Sequence, residues 1–116
     1  ISNAFLDTPW PKVERAKAGM ERLLRGGDQA LADGLFELLR DDVQATDDRL
    51  PGTGLPIALE RAVSPIFINT SGYGTRCSTV VLVDVAGRLH FEERTWPDDH
   101  RVAVQTTLDG GGTAAA

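Results

Sequence analysis

The chain contains a single cysteine, Cys77, among its 116 residues. One cysteine cannot form an intramolecular disulfide, and it cannot supply the cysteine cluster of a structural zinc site. The two histidines, His90 and His100, are too few and too far apart in the sequence to indicate a metal centre. We therefore predict that this chain holds no metal and no cofactor.

Long apolar runs and an excess of basic charge are also missing. No segment approaches the roughly 20 apolar residues of a membrane span, and the first residues lack the basic and apolar parts of a signal segment. The 12 basic residues are outnumbered by 17 acidic ones, which gives a net charge of -5. This balance argues against a nucleic-acid partner, because such proteins carry a basic patch. We predict a cytoplasmic protein that does not span a membrane.

Two helical patterns occupy the first forty residues. Apolar residues recur at three- and four-residue spacing from Pro11 to Arg25, and Gly26-Gly27 then ends the pattern. Asp28 is a candidate N-cap for a second helix, whose leucine stripe stops at Asp41-Asp42. The short connection predicts an antiparallel helical hairpin.

Turn-forming residues dominate from Val43 to Ser64, where only residues 60–63 predict a short helical turn. A loop of this length in a small domain is more often functional or partner-facing than idle. The remaining sequence predicts strands at 66–69, 75–84, 88–96 and 102–106. Residues 110–116 form a low-complexity tail that we expect to be disordered.

Helices followed by strands predict an α+β fold with an antiparallel sheet and a helical hairpin. Within the long strand, Val80-Val81-Leu82-Val83 is apolar at every position, which is typical of a strand buried on both faces. One helical layer can cover only one face of a sheet. We therefore expect the other face to be covered by something that these elements do not provide.

Three motifs carry a resemblance to a known family: SNAFLDTPWPKV at residues 2–13, LPGTGLP at 50–56 and YGTRCSTVVLVD at 73–84. In combination they resemble the C-terminal half of the NRDE family, also called the transport and Golgi organisation protein two family. The similarity covers essentially residues 1–96. The Asn-Arg-Asp-Glu motif that names the family lies in its N-terminal half and does not occur here.

The resemblance implies that residues 1–109 are the C-terminal half of an NRDE-type domain whose partner is the missing N-terminal half. It also implies a fold similar to N-terminal-nucleophile hydrolases, in which two antiparallel sheets pack face to face in a four-layer αββα sandwich. The second sheet would come from the missing half, and it would cover the open side of the valine-rich strand.

The same resemblance suggests site residues. Asn3 would donate to an oxyanion, although an Asn there could equally bond to backbone in a turn. Arg76 would bind a carboxylate or lower the pKa of a thiol in the missing half, or else form an ion pair with an acid such as Asp7 or Glu93. Candidate substrate-binding residues are Asp7, Trp10, Tyr73 and Thr75, with the tryptophan also readable as a core anchor.

Cys77 with His90 as its base is a weaker nucleophile hypothesis, because the nucleophile of that fold class carries a free α-amine and Cys77 is internal. Three functions remain open. The chain could belong to an amide or ester hydrolase whose nucleophile comes from the missing half. It could instead bind a small hydrophobic ligand such as haem or a lipid, without catalysis. It could also be a structural half with no activity of its own.

Overall fold

The structure is a computed structural model that describes residues 4–27 and 30–109. The chain is α+β and divides into two compact units, one ending at Thr75 and the other beginning at Arg76. The first unit contains the helices and a small two-stranded sheet, and the second contains a three-stranded sheet. The predicted tail at 110–116 lies outside the described residues.

The two predicted helices are confirmed as α1, Pro11–Arg25, and α2, Leu31–Leu39. Proline suits the start of α1 because the first helical N–H has no intrahelical partner. Gly26 caps its C-terminus, as the sequence predicted. Asp28, the predicted N-cap of the second helix, lies outside the described residues, and Ala30 precedes α2 with a φ of 61°.

The helices form the predicted antiparallel hairpin, and glycines allow their close approach. A Cβ atom at Gly34 would lie 2.6 Å from Cδ2 of Leu23, and one at Gly19 would collide with Leu38. Going along α1 from Gly19 to Leu23, the facing residue on α2 changes from Leu38 back to Gly34. The two helices therefore run in opposite directions. Phe36 of α2 is only 1% exposed and is the most buried large side chain described.

The long turn-rich stretch is more ordered than the sequence predicted. It contains a 3-10 turn at Asp47–Arg49 and a helix, α3, at Ile57–Ala62, which is longer than the predicted turn at 60–63. The predicted strand at 66–69 is largely wrong. Only β1, Asn69–Thr70, pairs with β2, Tyr73–Gly74, because the chain turns back at Gly72, whose φ is 79°.

The second unit is a meander of β3, Cys77–Val83, β4, Arg88–Thr95, and β5, His100–Thr107. Both neighbouring pairs are antiparallel, with β4 in the centre. The carboxylate of Asp84 holds the first turn by accepting the backbone N–H groups of Ala86 and Arg88, each at 2.9 Å. The last predicted strand exists and is longer than the predicted 102–106.

The sheet buries one face of β3 and exposes the other. Ser78 and Val80 are buried, whereas Val81 and Val83 are 53% and 54% exposed. The register places further apolar side chains on the exposed side, because directly paired residues share a face. This open sheet face comprises the apolar side chains of Val81, Val83, Leu89, Phe91, Val102 and Val104, together with Cys77, Thr79, Glu93, Thr95, His100 and Thr106. The expected burial of β3 on both faces is therefore not met by this chain alone.

Candidate functional site: a cleft in the first unit

A cleft of about 870 Å³ lies within the first unit. Its volume falls in the range of small-molecule sites. The walls come from the start of α1, the loop before α3, α3 itself and the segment that leads into the β1–β2 hairpin. The lining includes aromatic, aliphatic and charged side chains: Trp10, Lys12, Leu55, Leu59, Glu60, Val63, Ile66, Ile68 and Tyr73.

The start of α1 positions the aromatic and basic parts of the wall. Trp10 adopts an extended conformation with φ -63° and ψ 144° because it precedes Pro11. It therefore stays outside the helix, while Lys12 lies in the first helical turn. The spacing of this Trp-Pro-Lys segment brings both side chains to the cleft.

A second wall is held by the carboxylate of Glu60, which is only 5% exposed. Its oxygens accept the backbone N–H of Gly52 at 3.1 Å and that of Thr53 at 2.5 Å, together with the hydroxyl of Thr53. These donors, the Thr53 hydroxyl first, lower the pKa of Glu60 below its ordinary value although burial opposes them. The carboxylate thus fixes the loop that carries Leu55 to the cleft.

Lys12 contributes a half-buried cation. Its Nζ donates to the backbone carbonyl of Val63 at 2.6 Å, which ties α1 to the end of α3. Burial lowers the pKa of this ammonium group from its ordinary value. Within the described ranges, no carboxylate lies within ion-pair distance of it.

Two of the predicted substrate-binding residues, Trp10 and Tyr73, line this same cleft. Thr75 has a structural contact instead: its Oγ1 accepts the N–H of Ile68 at 2.9 Å, and its own N–H donates to the Ile68 carbonyl at 2.8 Å. Asp7 is exposed, and its Oδ1 lies 3.7 Å from Nζ of Lys17. Neither Thr75 nor Asp7 is among the residues that line the cleft.

The roles of the two predicted catalytic residues stay predictions. Asn3 lies outside the described residues. Arg76 is exposed and belongs to the second unit, where its carbonyl accepts the N–H of Trp96 at 2.8 Å. Among the described residues, no ion pair joins Arg76 to Glu93, whose carboxylate accepts the hydroxyl of Thr79 at 3.2 Å.

The hypothesis of a Cys77 nucleophile with His90 as base is wrong on geometry. Cys77 pairs with Thr95 and His90 pairs with Leu82, and the alternation of β3 places them on opposite faces of the sheet. Cys77 is also exposed. A different partner holds the histidine, because its Nε2 lies 3.2 Å from Oε2 of Glu92.

Three polar side chains of β4, His90, Glu92 and Arg94, form a charged row on the face that they share with the buried residues Ser78 and Val80. Arg94 Nε donates to Oε1 of Glu92 at 3.0 Å, and Gln105 Nε2 lies 3.3 Å from Nδ1 of His90. Burial raises the pKa of Glu92, but the bonds from Arg94 and His90 outweigh it, so the pKa lies below its ordinary value. The charged side chains of this face of β4 are therefore paired with one another.

Sequence reasoning missed Lys12 and Glu60. The signal for Lys12 was present, because a lysine directly after Trp-Pro must lie in the first turn of α1. The sequence contains no comparable signal for Glu60, because its contacts depend on how the loop from Pro51 to Leu55 folds back onto it. In the described part of the chain, no group of three acidic, histidine or cysteine side chains could hold a metal ion. No helix there is long and apolar enough to cross a membrane.

Comparison with known proteins supports the resemblance seen in the motifs. A family profile described as Transport and Golgi organisation 2 matches residues 1–98. The chain belongs to the Transport and Golgi organisation 2 family. This confirms the family inferred from the three motifs, and the match covers the first unit and the second unit as far as the turn that follows β4.

Curated members of the Transport and Golgi organisation 2 family show the same similarity. The chain is 36% identical over 116 residues to the homologue of Bos taurus, an alignment that covers 92% of this chain and 41% of the relative. It is 30% identical over 105 residues to the homologue of Mus musculus, covering 84% of this chain and 38% of the relative. The Homo sapiens homologue gives the same identity and coverage. The chain thus spans about two-fifths of the length of these relatives.

Proposed function

We propose that this chain provides a small-molecule-binding cleft to a protein of the Transport and Golgi organisation 2 family, and that its ligand has an apolar body. The observation that carries the proposal is the composition of the cleft. Trp10 and Tyr73 meet the aliphatic side chains of Leu59 and Ile68 in one concave surface. Apolar and aromatic walls with a few polar groups are typical of ligand sites.

Exposure of these apolar side chains supports binding. Tyr73 is 65% exposed, and Leu55 and Leu59 are also exposed although they line the cleft. A contiguous exposed apolar surface is costly in water and usually marks a site that a ligand or partner covers. A ligand with an apolar body, such as haem or a lipid, would remove this surface from water.

Tryptophan fluorescence tests the proposal directly, because Trp10 lines the cleft and the other tryptophan, Trp96, belongs to the second unit. Haem and a fatty acid are titrated separately into the full-length protein carrying Trp96→Phe, and the same titrations of the Trp10→Phe, Trp96→Phe double variant isolate the Trp10 signal. We expect a saturable change in Trp10 emission with at least one of them. Emission that stays flat with both would contradict the proposal.

Hydrolysis of an amide or ester is the second candidate, and it depends on residues other than the described lining of the cleft. The family resemblance motivates it through Asn3 and a nucleophile from the rest of the protein. Thiol-directed acyl probes applied to the full-length protein test it. Absence of both labelling and turnover would leave binding as the proposed function.

We also propose that the rest of the protein covers the open sheet face. The relatives are more than twice as long as this chain, so a large part of each has no counterpart here. The open sheet face presents Val81, Val83, Val102 and Val104, each about half exposed. A second sheet packed on this face, as in an αββα sandwich, would bury these side chains.

A further inference from the structure

We propose that Lys12 is the recognition residue for an anionic group on the ligand, so that the ligand combines an apolar body with one carboxylate or phosphate. This inference rests on the proposed binding function of the cleft. It assigns to the cleft a charge preference that its apolar walls alone would not give.

The ammonium group of Lys12 has bonding capacity to spare. An ammonium group carries three donor hydrogens, and one of them is used on the carbonyl of Val63. That contact also fixes the position of Nζ at the wall of the cleft, so less side-chain entropy is lost when an anion binds. A half-buried cation without a carboxylate partner gains from any anion that reaches it.

The other cations near this part of the fold are already neutralised. Lys17 lies near Asp7, Arg61 binds Asp47 with a shortest distance of 2.5 Å, and Arg15 binds Asp41 at 2.6 Å. Lys12 differs from them because, among the described residues, its hydrogen-bond partner is a neutral carbonyl. Among the described residues that line the cleft, Lys12 is therefore the one cation whose charge is left for a ligand.

The acidic residue of the cleft does not cancel this preference. Both oxygens of the Glu60 carboxylate accept hydrogen bonds from Gly52 and Thr53. Its charge is directed to the loop, and no ion pair joins it to Lys12 within the described residues. The ligand class that fits is a chain or ring system of apolar character with a single anionic head.

Displacement of a neutral fluorescent probe, N-phenyl-1-naphthylamine, from the full-length protein tests the inference. The competitors are dodecanoate, dodecyl phosphate and dodecanol, which share one chain and differ in the head group. We expect the better of the two anions to displace the probe at roughly tenfold lower concentration than the alcohol, which is the size of a typical charged hydrogen bond. The anion that competes better identifies the head group as carboxylate or phosphate.

Lys12→Met keeps an apolar chain of similar length and should abolish the advantage of the anions, while dodecanol and the probe bind as before. Lys17→Met removes an exposed lysine from the same helix and should leave the advantage intact. Retention of the probe by Lys12→Met shows that the cleft is still folded. Equal competition by all three compounds in the unmodified protein would overturn the inference while the binding function stands. Failure of the unmodified protein to bind the probe would overturn both.

Discussion

Glu60 shows how one carboxylate can organise a loop that sequence patterns leave undefined. The loop contains Gly52 and Gly54, both with positive φ, so the backbone itself has little preference for one conformation. The carboxylate compensates by accepting two backbone N–H groups and the Thr53 hydroxyl. Bonds to an ionised acceptor are stronger than neutral ones, so the charge state of Glu60 should matter for the loop.

We therefore predict that Glu60 makes stability depend on pH in the acidic range. Its folded-state pKa lies below the ordinary value of 4.5, so its contribution is present above about that pH and is lost as the pH falls through the lower, folded-state pKa. Urea unfolding of Glu60→Gln and of the unmodified protein should show a gap at neutral pH that narrows on acidification. Glu37→Gln, at an exposed position of α2, controls for the loss of one negative charge. A gap that is constant with pH would refute the prediction.

At the scale of elements, the β1–β2 hairpin depends on a close approach of two backbones. A Cβ atom at Gly74 would lie 2.7 Å from the carbonyl oxygen of Ile68, and a backbone atom cannot move aside as a flexible side chain can. The same carbonyl accepts the N–H of Thr75, so a shift there would also disturb that bond. Ile68 and Tyr73 line the cleft, which links this approach to the site.

Gly74→Ala is expected to destabilise the protein by about 1 to 3 kcal/mol, the usual cost of overpacking. Thermal unfolding followed by circular dichroism measures the change. Gly26→Ala is the matched control, because its added Cβ meets only ordinary contacts, the nearest being Leu23 O at 3.5 Å, and its φ is -77°. Equal stability of Gly74→Ala and the unmodified protein would show that the hairpin is more compliant than the structure indicates.

The charged row on β4 gives a second prediction at this scale. Arg94 is 8% exposed, and removing it would leave the carboxylate of Glu92 buried with less compensation. Arg94→Met should therefore cost about 3 kcal/mol, since breaking a buried pair on one side is strongly destabilising. Arg101 lies directly opposite on β5, and its ion pair with Asp99 is exposed. Arg101→Met should therefore lower the free energy of unfolding by less than about 1 kcal/mol. Urea unfolding compares the two, and similar losses would contradict this account.

At the scale of the whole molecule, the sequence predicted local order better than it predicted contacts across the chain. The helices were correct because the leucine stripes and Gly26 are local signals, and the family followed from three motifs. The strand at 66–69 was largely wrong because Ile66 and Ile68 line a cleft, while the N–H of Phe67 donates to the carbonyl of Asp41. The role of Glu60 depends on a loop that folds back onto it, which no residue spacing reveals.

The valine-rich strand is where sequence and structure differ in a way that concerns the whole protein. Its composition predicts two buried faces, yet this chain covers only the face with Ser78 and Val80. Phe91 of the central strand β4 pairs with an exposed valine on each side, Val81 on β3 and Val104 on β5. Such a surface is stable in water only at a cost in hydrophobic free energy, so a covering element is expected in the complete protein.

Cysteine labelling in the full-length protein measures that cover. A Val81→Cys variant should react slowly with a maleimide if the rest of the protein packs on the open sheet face, because a buried thiol is inaccessible. Val85→Cys, in the turn after β3 where the side chain is fully exposed, should react quickly and serves as the control. Peptide mapping by mass spectrometry assigns each label to its site.

We expect labelling at residue 81 to be slower by at least about tenfold, corresponding to about 1.4 kcal/mol of protection if the exposed state is reached by a rapid opening equilibrium. Equal rates at both sites would mean that this valine surface remains open to solvent, and the packing of a second sheet on it would have to be abandoned.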